Sequence, residues 1–75
     1  MSEKLTLNQV YDLIQNMKKK LTVKGSVTHV FKRHDYEAVL IVLSDEKDLL
    51  ADKDIHVRVN FQHGIVTVSF RRHGY

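Results

Sequence analysis

Five histidines, at positions 29, 34, 56, 63 and 73, raise the question of a metal site. Zinc needs ligands that converge, which on one helix face means a spacing of four and on one side of a strand a spacing of two. No pair among His29, His34, His56, His63 and His73 has either spacing. The acids Asp45, Glu46, Asp48, Asp52 and Asp54 raise calcium. An EF-hand loop needs a glycine at its sharp turn, and residues 45–54 contain none, so a solvated acidic connector is the expectation. No metal and no cofactor is expected.

Catalysis has no signature either. The chain lacks G-x-S-x-G, H-E-x-x-H and a phosphate-cradling glycine loop. At 75 residues it has little room for a deep pocket. The expectation is that it is no enzyme and takes no small-molecule substrate.

The remaining chemistry is charge. The formal net charge is +3, but its distribution says more than its total. Residues 45–54 hold five acids and two lysines, whereas residues 55–75 hold three arginines and no acid. Lys18, Lys19 and Lys20 form a second basic cluster. Such a body permits phosphate contact. Around Arg58 the stretch at 55–70, "IHVRVNFQHGIVTVSF", alternates apolar with polar side chains, and His56, Arg58, Asn60, Ser69 and Arg71 fall on the polar side. With Arg72, these are the candidate partner-binding residues.

The elements that must position these groups begin with a helix. Thr6 and Gln9 make a T-x-x-Q capping box, and Leu5 and Val10 are spaced for a hydrophobic staple. Leu7, Val10, Ile14, Met17 and Leu21 recur on one stripe, which predicts a helix ending near 21–22, before Gly25. Lys18–Lys20 then fall near its negative end, which favours cations whether or not they touch phosphate.

Four strand-like runs follow, at 26–33, 36–44, 55–62 and 65–71, rich in Val, Ile, Phe and Thr. A two-residue turn at His63-Gly64 pairs Phe61 with Val66, Val59 with Val68 and Val57 with Phe70, so every apolar side chain lands on one face. The polar face then pairs Asn60 with Thr67, Arg58 with Ser69 and His56 with Arg71. That face carries no aromatic ring, so it suits phosphate better than bases. A turn at His34-Asp35 would pair Lys32 with Glu37 and Val30 with Val39. The run "AVLIVL" is apolar on both sides and reads as a central strand covered on both faces.

These readings give one α+β domain over residues 1–75. An N-terminal amphipathic helix packs on a mainly antiparallel four-stranded sheet made of two hairpins, in the order α-β-β-[short helical turn]-β-β. A second cover is then needed over Val39, Ile41 and Leu43, supplied either by residues 45–54 or by a second copy of the chain. The leading expectation is a small, non-enzymatic protein-interaction module of adaptor or inhibitor type, homodimeric through Val39, Ile41 and Leu43. The alternative is a sequence-independent nucleic-acid-binding protein that uses Lys18–Lys20 and the basic sheet face. No apolar run approaches a membrane span and no cysteine is present, so the expected setting is cytoplasmic, without a membrane partner.

Overall fold

The first helix starts where the capping box places it. Thr6 accepts a hydrogen bond from the Gln9 amide, and the Gln9 side chain accepts one from the Thr6 amide, so two of the orphan N–H groups at the helix start are satisfied. The helix stops at Gly25, whose φ of 79° is the left-handed conformation that a helix C-terminus needs and a glycine adopts without strain. The computed structural model describes residues 4–73 of the chain. They form α1 (Leu7–Lys24), β1 (Ser26–Lys32), a 3-10 turn (Arg33–Asp35), α2 (Tyr36–Ser44), a short α3 (Lys47–Ala51), β2 (Ile55–Gln62) and β3 (Ile65–Arg72).

The architecture is α+β, with a three-stranded antiparallel sheet in the order β1-β3-β2. Four strands were expected, and segment 36–44 is the difference: it is a helix. A short, continuous apolar run fits a buried strand or a buried helix equally well by periodicity. Here the helix places Val39, Val42 and Leu43 on one buried side and leaves Leu40 and Ile41 outside. Glu37 sits in its first turn, where a carboxylate favours the helix dipole.

The expected first hairpin is therefore absent, and β1 pairs with β3 instead, setting Val30 against Thr67 and Phe31 against Val66. The central strand is β3, whose Val66, Val68 and Phe70 are fully buried. The β2–β3 hairpin has the register that its alternation dictates, from Ile55 opposite Arg72 to Gln62 opposite Ile65. His63 and Gly64 have φ of 54° and 76°, the pair of positive values that a type I′ turn requires.

The core lies between one face of the sheet and the helices. Val10, Ile14, Met17 and Leu21 of α1 meet Val39, Val42 and Leu43 of α2, Leu49 of α3, and Phe31, Val66, Val68 and Phe70 of the sheet. Leu49 belongs to this core, so the acidic connector does contribute cover. It is pinned there by Glu46, which is buried and accepts hydrogen bonds from Lys18 Nζ, at 2.8 Å, and from the Gln15 side chain through Nε2. At the far end, buried Asp35 accepts a hydrogen bond from the Leu5 amide at 2.9 Å, which ties the entry to α1 to the 3-10 turn.

Candidate nucleic-acid interface

The pleat divides the sheet into two unlike faces. Val27, Phe31, Val57, Val59, Val66, Val68 and Phe70 point to the helices. The opposite face carries three-residue rows across β1, β3 and β2. They run Ser26–Arg71–His56, then Thr28–Ser69–Arg58, then Val30–Thr67–Asn60, then Lys32–Ile65–Gln62. Of these side chains only Thr67 and Ser69, in the central strand, are half-buried, and the rest are exposed. Among the described residues, no element covers this face.

Charge is segregated between the two layers. The three strands contain Lys32, Arg58, Arg71 and Arg72 and not one acidic residue. Every described Asp or Glu lies in a helix, the 3-10 turn or a connector. The basic side chains of the open face therefore have no carboxylate partner within the sheet. A cation without a partner is free to exchange its hydration for an anion.

At one end of the open face, His56, Arg58, Ser69, Arg71 and His73 line a shallow cleft. The His56 and His73 rings stand edge to face with centroids 6.0 Å apart. The hydroxyls of Thr28 and Ser69 share a hydrogen bond at 3.1 Å across β1 and β3, which fixes the polar floor beside Arg58. Two guanidinium groups, a hydroxyl and two imidazoles are donors suited to phosphate oxygens.

Five of the six predicted partner-binding residues, His56, Arg58, Asn60, Ser69 and Arg71, thus share one face. Arg72 does not: it points to the helix side, beside Lys18, Lys19, Thr22 and Ile55. Its amide donates to the Gly25 carbonyl at 2.7 Å, which ties the end of β3 to the end of α1. Of the three lysines predicted to touch phosphate, Lys18 is engaged by Glu46, while Lys19 and Lys20 are exposed. Basic side chains consequently run from Lys19 through Arg72, around the end of β3, to Arg71 and Arg58.

The three residues expected to make a dimer face, Val39, Ile41 and Leu43, do not share one face. Val39, Ile41 and Leu43 would share one side of a strand, but on a helix Val39 and Leu43 turn into the core and Ile41 turns out, 50% exposed.

A second cleft lies at the turn end of the sheet, and the sequence reading missed it. Lys4, Lys32, Arg33, His34, Tyr36, Glu37, Phe61 and Gly64 line it. Alternation puts Phe61 on the apolar side, yet it lies beyond the helical cover and is 46% exposed. The Arg33 guanidinium stands 5.7 Å over its ring, and Tyr36 meets it edge-on at 5.3 Å. The Arg33 amide donates to the Gly64 carbonyl at 3.1 Å, so the 3-10 turn and the hairpin turn are held together.

Among the described residues, no three His, Asp or Glu side chains converge as a metal site, and no helix is long and apolar enough to cross a membrane. No family model, curated protein or solved structure matches the chain.

Proposed function

We propose that the chain is a small non-enzymatic binding module whose open sheet face contacts the phosphate backbone of nucleic acid without reading sequence. The observation that carries this reading is the segregation of charge: a flat, uncovered face with Lys32, Arg58 and Arg71 on strands that hold no acid. Phosphate contact supplies affinity through released counterions and needs no base-specific donor. The floor of Thr28, Asn60, Thr67 and Ser69 adds neutral donors of the kind that position a backbone.

The helical layer is a poor candidate for the same partner. α2 and α3 follow each other closely, as do the helices that enter a DNA groove in helix-turn-helix proteins. Here α3 has five residues and sits among Asp45, Glu46, Asp48, Asp52 and Asp54, which repel phosphate.

The protein-interaction reading keeps one observation of its own. Leu40 and Ile41 stand adjacent on α2 at 40% and 50% exposure, and Leu50 on α3 is 53% exposed. A homodimer or adaptor contact through the helical layer would cover these side chains.

Backbone-amide shift mapping by NMR separates the two. Titration with a short oligonucleotide at low salt should shift residues 56–60 and 67–73, with the α2 amides unchanged. Oligonucleotide shifts confined to α2 and α3 would overturn the assignment of the open face, and sedimentation as a dimer with no response to oligonucleotide would replace the nucleic-acid reading with the protein-interaction one.

A further inference from the structure

We infer that the cleft at the turn end of the sheet is a stacking site for an unpaired base, so that the nucleic acid this face takes is single-stranded. The inference rests on the proposed phosphate-binding face and specifies its partner.

The open face carries no Phe, Tyr or Trp, and the two imidazoles at its end, His56 and His73, stand edge to face against each other, so it offers no broad stacking platform that would favour a single strand over a duplex. Phe61 changes that. It is a strand residue with 46% of its surface exposed, at the end of β2 where the helical cover has run out. The Arg33 guanidinium 5.7 Å over the ring adds a second planar surface, and Tyr36 at 5.3 Å holds the ring from its edge. Bases splayed out of a single strand stack on aromatic rings and on guanidinium planes, whereas bases inside a duplex do not offer their faces.

Lys32 makes the two regions continuous. It lines the aromatic cleft and also stands in the open-face row with Ile65 and Gln62. From that row back to Arg71 and His56 is six strand positions, roughly 20 Å at the rise of a β-strand. One strand of nucleic acid can follow this track, with phosphates on Arg71, Arg58 and Lys32 and a base over Phe61. Lys4 and Arg33 add further cations at the stacking end, against the single carboxylate of Glu37.

The chain contains no tryptophan, so the Phe61→Trp variant carries a single reporter at the stacking position. Adding a 12-nucleotide single-stranded DNA or RNA should quench its fluorescence. Heparin, a polyanion without bases, should bind the same face and leave the emission little changed. In anisotropy titrations at matched salt, the wild-type chain should bind the single strand at least tenfold tighter than a duplex of the same sequence. Phe61→Leu should lower single-strand affinity about 5- to 100-fold, while heparin affinity stays constant. An unchanged circular dichroism spectrum and melting transition show that the variant is folded. Equal affinity for duplex and single strand, or equal quenching by heparin and oligonucleotide, would overturn the stacking site and leave the phosphate-binding face standing. Binding of none of these polyanions at low salt would overturn both. The DNA and RNA arms show which sugar the site prefers.

Discussion

Arg71 stands directly opposite His56 across the β2–β3 ladder, and one row along Arg58 faces Ser69 on the same uncovered side of the sheet. The two arginines are diagonal neighbours on adjacent strands, a separation of about 7–8 Å, with no carboxylate in any of the three strands to pair them. Like charges placed this way do not favour folding, which makes them informative about function. Neutralising them in Arg58→Gln/Arg71→Gln should change folding stability by no more than about 0.5 kcal/mol, because both side chains are exposed. Added phosphate or sulfate should raise the melting temperature of the wild-type chain more than that of the double variant, because an anion bound to the folded state stabilises it by mass action. Equal responses in the two proteins would show that these arginines hold no anion.

The helical assignment of residues 36–44 makes a sharp distinction between neighbours. Ile41→Lys should be close to neutral in thermal or urea unfolding, because Ile41 is half exposed on the outer side of α2. Val39→Ala and Leu43→Ala remove side chains that are at most 6% exposed, and should cost about 2 kcal/mol or more. A strand in this segment would put positions 39, 41 and 43 on one face and give all three similar costs.

Glu46 anchors the acidic connector to α1 through Lys18 and Gln15. Glu46→Ala leaves the Lys18 ammonium and the Gln15 side-chain amide without their acceptor and should destabilise the chain by about 1–3 kcal/mol. A double-mutant cycle with Lys18→Met should show a coupling of more than about 0.5 kcal/mol, since the two side chains are in contact. Additive losses would mean that the pair is not formed in solution.

Asp35 holds the Leu5 amide from a site that is 3% exposed. Asp35→Asn keeps an oxygen in the right place and should preserve most of the stability. Asp35→Ala removes it and should cost about 1–3 kcal/mol, with faster hydrogen exchange at the Leu5 amide. Equal effects of the two substitutions would remove the acceptor role.

The comparison between sequence and structure turns on a few residues. Wherever local chemistry is self-sufficient, the sequence is readable. Thr6 and Gln9 cap α1 without help from the rest of the chain, and the 55–72 alternation tolerates a single register around the His63-Gly64 turn. Segment 36–44 reads as a strand from sequence because an apolar run has no period, and only the long-range pairing of β1 with β3 settles which state it takes. That pairing joins segments some forty residues apart in the chain, such as Thr28 and Ser69, and no local signal announces it. The site divides in the same way. His56, Arg58, Asn60, Ser69 and Arg71 were legible because strand parity alone places them together. Arg72 follows the same parity to the helix side, so grouping it with the open-face residues on charge alone misplaces it. Alternation puts Phe61 on the apolar face because it says which way a side chain points, whereas the extent of the helical cover decides whether anything meets it.

The most direct test of the nucleic-acid face is the affinity of the wild-type chain and of Arg58→Gln/Arg71→Gln for a labelled single-stranded oligonucleotide over a range of salt. Three phosphate contacts, at Lys32, Arg58 and Arg71, predict a slope of log K against log salt of about −2, from about −0.7 per contact. The double variant should bind more weakly and its slope should fall to about −0.7. Identical affinity and slope in the two proteins, or no binding by either at low salt, would contradict the assignment of the open sheet face to phosphate.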